Sequence, residues 1–351
     1  MVAGVEHEPF GSAALQGVGR EPVLAEPLAC ADILGRSLTE RTIERFLDAD
    51  VEIVSVLAPS EKFLKRAFSS ASEKVKVQIV GDVWSAMSHE LERFSQIGID
   101  HSFVSSASLY AETDVLDLFY FHRESRRRAT RGQDSQGPLD LWMVDCAKAR
   151  GFDPETLLMQ EDGSGSSYFV AGYVNRMRHP RDLRRLVSDA LQGHCAMRPA
   201  GREIKPGIWV GEGADIHRRS RIVAPAYIGC ASKVREDTLI TRCSSIERDC
   251  YVDCGTAIED SSILTNTHVG MWLDVSHAVA QGNKLMSLGR DVMLEVSDSS
   301  IMRFNGSFRK EVKRGLDLGY RDAAQPVVAE VEPQELSAQK SWQLGASPIQ
   351  G

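Results

Sequence analysis

Residues 210–264 read VGEGADIHRRSRIVAPAYIGCASKVREDTLITRCSSIERDCYVDCGTAIEDSSIL, and every sixth position is aliphatic. The aliphatic positions are Val210, Ile216, Ile222, Ile228, Val234, Ile240, Ile246, Val252, Ile258 and Leu264. The fourth residue after each is small: Ala214, Ser220, Ala226, Ser232, Thr238, Ser244, Cys250, Thr256 and Ser262. A helix repeats about every 3.6 residues and a strand about every 2, so neither gives this period. The pattern predicts an all-β parallel β-helix in which each hexad forms one face of a prism, with the aliphatic residue inside and the small residue near the corner.

Composition limits the classes of function. The chain has 351 residues and a formal net charge of −8, which is enough length for two domains and disfavours nucleic acid and anionic membrane as partners. The basic run 123–131 is interpreted as a solvated face or loop. No apolar run approaches about 18 residues, so membrane insertion is not expected. The N-terminus, MVAGVEHEPF, lacks the features of a secretory signal. The seven cysteines include no CxxC pair, which predicts a cytoplasmic protein without a zinc site.

Helix and strand patterns alternate before the repeat. Leu38, Ile43, Phe46 and Leu47 form the apolar face of one expected helix, and its residues Glu40, Arg41, Glu44 and Arg45 are expected to face water. Strands are expected at 51–57, 75–80, 99–105 and 139–146, and helices at 60–72, 84–96, 114–125 and 179–193, the last ending at Gly193. This alternation predicts a three-layer α/β domain of the Rossmann-like kind.

We therefore divide the chain into five parts. Residues 1–19 form a flexible leader, 20–197 the α/β domain, 198–207 a linker with two prolines and two glycines, 208–304 the β-helix, and 305–351 a largely disordered tail. Trp209 and Trp272 stand near the two ends of the repeat, where we expect them to pack between domains or subunits.

This order of parts resembles the sugar-nucleotide pyrophosphorylases, a family of nucleotidyltransferases that includes mannose-1-phosphate guanylyltransferase. The likeness rests on ADILGRSLTERTIE (31–44), FVSSASLYAETDVLDLFYFHRES (103–125), YVNRMRHPRDLRRLV (173–187) and the hexapeptide repeat. It implies a nucleotidyltransferase-like α/β domain, a left-handed β-helix and a homo-oligomer. The reaction implied is the attack of a sugar 1-phosphate on an NTP with Mg²⁺ as cofactor, which releases pyrophosphate.

The chain departs from that family where its chemistry is carried. The phosphate loop is matched only by Gly17, Gly19 and Arg20, which are weak candidates for nucleotide binding. Leu28 stands near the position of the family's lysine, and Ser108 and Asn175 stand at its two metal-binding aspartates. Serine and asparagine lack the carboxylate that Mg²⁺ prefers. Glu112, Asp114 and Asp117 lie close by in sequence and are interpreted as acids around a helix start, with Thr113 as its N-cap.

Hexapeptide β-helices also occur in acyltransferases, which need a histidine as general base. His217, His268 and His277 are the candidates, and His268 is preferred because it occupies a small-residue position where the repeat breaks. The leading hypothesis is a pyrophosphorylase-family protein of NDP-sugar or surface-polysaccharide metabolism that binds a sugar nucleotide or sugar phosphate, or a catalytic paralogue, without turnover. An active sugar-1-phosphate nucleotidyltransferase with a diverged site and a hexapeptide acyltransferase remain as alternatives.

Overall fold

The computed structural model describes residues 2–3, 28–49, 51–58, 73–159 and 167–305. The helices of these residues are a short 3-10 helix at Leu28–Cys30 and α1 (Leu38–Asp48), α2 (Val83–Gln96), α3 (Val115–Ser125), α4 (Cys146–Ala149), α5 (Pro154–Met159) and α6 (Pro180–Gln192). The strands before the repeat are β1 (Val2–Ala3), β2 (Asp32–Ile33), β3 (Arg36–Ser37), β4 (Val54–Ala58), β5 (Val75–Ile79), β6 (His101–Ser106), β7 (Tyr110–Ala111), β8 (Ala129–Asp134), β9 (Gly137–Asp145), β10 (Tyr168–Phe169) and β11 (Val174–Asn175). None of the helices described combines the length and apolar composition needed to cross a membrane.

The first part of the chain forms a seven-stranded mixed sheet in the order β10-β8-β9-β6-β1-β4-β5. Strand β1 lies parallel between β4 and β6, and β9 is antiparallel to both of its neighbours. One face of the sheet packs on α1 and α3 through a core that includes Phe46, Leu118 and Leu141. The other face packs on α2, α4 and α5 through a second core that includes Met87 and Trp142. This is the three-layer α/β arrangement that the alternating pattern predicts.

Several local expectations differ from the structure. Val2–Ala3, assigned to the leader, forms a central strand, while the rest of the leader and the helix expected at 60–72 lie outside the described residues. The arginine run does not form one solvated face, because its C-terminal end enters strand β8 and Arg131 donates to the carbonyl of Leu139. Arg41 and Arg45 of α1 do not simply face water. Both donate to backbone carbonyls, Arg41 to that of Ile33 at 2.7 Å and Arg45 to that of Ala111.

The repeat forms three sheets arranged as a prism. Its strands are β12 (Arg202–Lys205), β13 (Ile208–Val210), β14 (Asp215–Ile216), β15 (Arg221–Ile222), β16 (Ala226–Ile228), β17 (Lys233–Val234), β18 (Leu239–Thr241), β19 (Ser245–Ile246), β20 (Tyr251–Val252), β21 (Ala257–Glu259), β22 (Ser262–Ile263), β23 (Thr267–Val269), β24 (Asp274–Ser276), β25 (Ala278–Gln281), β26 (Lys284–Ser287), β27 (Val292–Glu295) and β28 (Met302–Phe304). The sheet orders are β12-β13-β16-β19-β22-β25-β26-β27, β14-β17-β20-β23-β28 and β15-β18-β21-β24. Strands in consecutive coils pair in parallel, and antiparallel strands extend the sheets at the ends. Ile228, Ile246 and Ile258 are fully buried in the interior core, as the hexad pattern predicts.

The repeat loses one residue near its end, and this corrects three expectations. Val234 pairs with Val252, 18 residues later, but Ile246 pairs with Ile263, 17 residues later. Ile263 therefore joins the interior core, whereas Leu264 packs outside the prism against the α/β domain. For the same reason Ser261 takes the interior small-residue role expected of Ser262, and His268 does not occupy a small-residue position.

Small residues near the corners link one coil to the next through hydrogen bonds. The Ser232 hydroxyl donates to the carbonyl of Glu247 at 2.6 Å and accepts from the backbone N–H of Cys250 at 3.0 Å. Ser244 accepts from the N–H of Ser261, and Ser261 accepts from the N–H of Ala278. A larger side chain at these positions would have to enter the filled interior, which explains why the sequence pattern is so regular.

The eight-stranded prism sheet packs on the α/β domain. Outward-facing Tyr227 and Val279 join a core with Ile33 and Leu34 of the β2–β3 hairpin and with Leu186 of α6. Trp209 packs against this core, in agreement with its expected role between domains, whereas Trp272 is 75% exposed. The predicted linker contributes β12, which pairs with β13 at the edge of the same sheet. The interface is therefore continuous with the prism.

Buried charges cross this interface. The Glu247 carboxyl accepts from the backbone N–H groups of Leu34 and Gly35, both at 2.9 Å. Asp32, which is 1% exposed, accepts from Arg248 at 2.5 and 2.8 Å and from the Thr265 hydroxyl at 2.8 Å. Because unpaired buried donors are costly, these contacts fix the hairpin against the prism.

We predict that Glu247→Ala lowers the free energy of unfolding by roughly 3 kcal/mol or more, because it leaves two interfacial N–H groups unpaired. Chemical denaturation measures this loss. Glu236→Ala is the matched control, since Glu236 is exposed and lies 3.4 Å from Arg219, and its cost should stay below about 1 kcal/mol. Equal losses in the two variants would contradict the interfacial role.

The same carboxyl predicts a pH dependence of stability. Burial and the neighbouring Asp32 raise the pKa of Glu247 from 4.5 to about 8. Between these values the unfolded chain has released the proton that the folded chain retains, so this group's contribution to the free energy of unfolding falls as pH rises. Denaturation across this window should show a steeper decline in the native protein than in Glu247→Gln. Identical slopes would oppose this assignment.

Candidate functional site

The order of strands in the α/β sheet reverses at β1. The chain passes from β1 to β4 and β5 on one side, and β6 lies on the other side. Ligands of open α/β sheets bind outside the carboxyl ends of the strands at such a point. Here that edge is formed by Ser105 and Ser106 of β6, which pair with Val2 and Ala3. The chain leaves β1 at this edge, and the candidates Gly17, Gly19 and Arg20 lie outside the described residues.

The structure brings the segments of Ser108 and Asn175 together. Strand β7 follows Ser108 and pairs antiparallel with β11, so that Asn175 lies opposite Tyr110. Ser108 is half-buried in the turn after β6, and its backbone N–H donates to the Ser106 hydroxyl at 3.2 Å. The two positions selected from the sequence therefore lie on neighbouring elements at the carboxyl edge.

Asn175 has a structural role at this edge. Its side chain is fully buried, donates through Nδ2 to the carbonyl of Asp182 at 2.8 Å and accepts through Oδ1 from the N–H of Met177 at 3.0 Å. These bonds connect β11 to the first turn of α6. A side chain held in this way cannot turn towards Ser108 without leaving buried groups unpaired.

The neighbouring acids also have partners within the chain. Glu112 accepts from the Tyr110 hydroxyl at 2.9 Å and from the N–H of Ala196 at 2.5 Å. Asp114 is the N-cap of α3, in place of the predicted Thr113, and accepts from the N–H groups of Leu116 and Asp117. Over the part of the chain that the structure describes, no group of three or more His, Cys, Asp or Glu side chains is placed to hold a metal ion.

A pocket of about 390 Å³ opens beside the carboxyl edge, on the face covered by α1 and α3. Its apolar wall includes Phe46, Phe103 and Leu141. Its polar side chains are Thr42, Arg45, Asp48, Ser105, Thr113 and Asp114. An apolar cavity with a few polar groups beside a switch point is the usual form of a small-molecule site.

Helix α1 sets one wall of this pocket. Ser37 and Glu40 form a capping box, in which Ser37 Oγ accepts from the N–H of Glu40 and Glu40 accepts from the N–H of Ser37. Arg45, on the same helix, donates to the carbonyls of Ala111 and Thr113 and so ties α1 to the segment before α3. The sequence pattern missed this residue because an arginine on a polar helix face is indistinguishable from a solvated one. Leu28, at the lysine position of the resemblance, begins the 3-10 helix and packs on the interdomain core.

Two of the histidine candidates lack the environment of a base. His268 is 6% exposed and stacks on Tyr251 with ring centroids 5.0 Å apart, and burial with nearby Arg303 lowers its pKa to about 4. His217 accepts through Nδ1 from the backbone N–H of Arg219 at 3.3 Å. Neither has a carboxylate hydrogen-bonded to its ring in the contacts of the described residues.

His277 has such a carboxylate. Its Nδ1 lies 2.5 Å from Oδ2 of Asp260, while Oδ1 of Asp260 accepts from Arg184 of α6 at 2.7 Å. The His277 side chain is 57% exposed at a corner of the prism. Asp260 was not selected from the sequence, since 17 residues separate it from His277. The one-residue loss in the repeat gives that spacing, which the strict hexad does not.

Comparison with known proteins gives little further information. No family model and no curated protein matches the chain. Among solved structures it is similar to HddC from Yersinia pseudotuberculosis complexed with GMP-PN, with 11% identity and a TM-score of 0.38. The alignment covers 52% of this chain and 96% of that chain. A likeness of this size indicates neither a family nor an activity.

We predict that Asn175→Asp lowers the free energy of unfolding by roughly 2 kcal/mol or more, because a carboxylate oxygen then faces the carbonyl of Asp182. Ser108→Asp is the control and should cost less, since Ser108 is half-buried. Adding Mg²⁺ to the double variant should not recover the lost stability, measured by thermal unfolding. A Mg²⁺-dependent rise in Tm would instead indicate that the two positions converge on a metal.

Proposed function

We propose that this chain is a pyrophosphorylase-family protein of NDP-sugar or surface-polysaccharide metabolism that binds a sugar nucleotide or sugar phosphate without turning it over. The family comes from the sequence resemblance, which also implies a nucleotidyltransferase-like α/β domain (20–197), a left-handed β-helix (208–304), a cytoplasmic location and a homo-oligomer or a catalytic paralogue as partner. Mg²⁺ belongs only to the alternative of an active transferase.

The observation that supports binding is the pocket beside the switch point. Its polar groups and apolar wall suit the hydroxyls and the base or sugar face of such a ligand. The observation that supports the absence of turnover is the use of Asn175, Glu112 and Asp114 in hydrogen bonds within the chain. Phosphoryl transfer needs carboxylates free to hold Mg²⁺ against the phosphates.

A pocket-filling variant tests this proposal. Ala49 lines the pocket, so Ala49→Trp should occupy part of its volume without removing a side-chain hydrogen bond. A panel of NDP-sugars and hexose 1-phosphates should include at least one compound that raises the Tm of the native protein. That shift should disappear in Ala49→Trp and persist in Ala147→Trp, whose exposed alanine on α4 lies outside the pocket. No shift with any compound, or an equal shift in both variants, would reject binding at this pocket.

A second candidate function is acyl transfer, and the pair of His277 and Asp260 favours it. A carboxylate that orients an exposed imidazole is the arrangement of a general base. Under this proposal the native protein consumes an acyl-CoA with a sugar acceptor, and His277→Asn lowers that rate by at least about a hundredfold. His217→Asn is the control and should retain the rate. The absence of thiol release with acyl-CoA donors would remove this candidate.

A further inference from the structure

Helix α3 presents an apolar surface that nothing in the described chain covers. Its buried side includes Leu118 and His122, which are 0% and 1% exposed. On the opposite side Leu116 and Tyr120 are 59% and 57% exposed, one helical turn apart. Two large apolar side chains at this spacing form a short stripe along the outer face.

Charges flank this stripe with opposite signs at its two ends. Asp114 and Asp117 stand at the start of α3, and Arg123 and Arg126 stand at its end, all four exposed. The signs agree with the helix dipole, which favours acids at the start and bases at the end. The dipole does not explain the exposed leucine and tyrosine between them.

The pattern is self-complementary about Tyr120. Asp117 precedes Tyr120 by three residues and Arg123 follows it by three, while Asp114 precedes it by six and Arg126 follows it by six. When two copies of the helix lie antiparallel and cross at Tyr120, each acid of one copy meets the matching arginine of the other. Leu116 then faces the region of the second Tyr120. A two-fold axis requires this kind of self-complementary surface.

We propose that the outer face of α3 binds the same face of a second copy of this chain, antiparallel and centred on Tyr120. The contact is short, because an 11-residue helix is about 16 Å long, so we expect a weak, salt-sensitive dimer. Leu116 and Asp114 also line the pocket, so the dimer brings Arg126 of the second copy to the pocket rim. The proposal does not depend on which ligand the pocket binds.

Charge reversal tests this contact by sedimentation velocity over a wide range of protein concentration. Asp117→Arg places like charges opposite Arg123 of the second copy and should raise the dimer Kd at least about tenfold. The double variant Asp117→Arg with Arg123→Asp restores opposite charges and should return the Kd to near the native value. Asp117 also accepts from the Tyr168 hydroxyl at 2.6 Å, and the second substitution cannot restore that bond, so rescue distinguishes the interface from a local effect.

Glu92→Arg on α2 is the control for net charge, since Glu92 is exposed and 3.6 Å from Arg150, and it should leave the Kd unchanged. Circular dichroism confirms that each variant is folded. A native protein that stays monomeric at all concentrations overturns the proposal. A dimer that Asp117→Arg does not weaken, or that the double variant does not recover, overturns it as well.

Discussion

The hydrogen bonds from the hairpin backbone to Glu247 connect the prism to the pocket. The buried Glu247 carboxyl holds the N–H groups of Leu34 and Gly35, and two residues later Ser37 caps α1. Helix α1 carries Arg45 and Phe46 into the pocket wall. A side chain of the repeat therefore fixes the start of the helix that shapes the candidate site, although the two are more than 200 residues apart in sequence.

The other arm of the site depends on the same prism. Helix α6 packs on it through Leu186, and Arg184 reaches the carbonyl of Arg242 at 3.1 Å and the carboxylate of Asp260 at 2.7 Å. Asn175 binds the first turn of α6 and so orients strand β11 beside β7. Both sides of the carboxyl edge thus rest on one outward-facing sheet and one corner of the prism. This explains why the prism is best understood as a support for the site, with His277 as the one residue that suggests chemistry of its own.

The sequence predicts the regular parts of this fold and misses what depends on distant contacts. The hexad pattern identifies Ile228 to Ile258 as interior residues because each coil imposes the same volume limit. It fails at Leu264, because a one-residue loss changes which side chain points inward, and only the pairing of Ile246 with Ile263 reveals that loss. Helix ends such as Gly193, at φ 78°, are predicted because their signals are local.

The candidate site is harder to predict for the same reason. The resemblance selected Ser108 and Asn175, and the structure places their segments side by side. Arg45, Glu247 and Asp260 acquire their roles only through partners that are at least 17 residues away. Composition treats such residues as solvated charges, because exposure depends on the tertiary fold rather than on the local pattern.

The central claim is that the carboxyl edge binds its ligand without phosphoryl transfer. The most direct measurement is pyrophosphate release by the full chain with Mg²⁺, each common NTP and a panel of hexose 1-phosphates. We expect no release above the protein-free background, since the acids near Ser108 and Asn175 are held by the chain itself. Sustained release over several turnovers with any pair of substrates would contradict the claim.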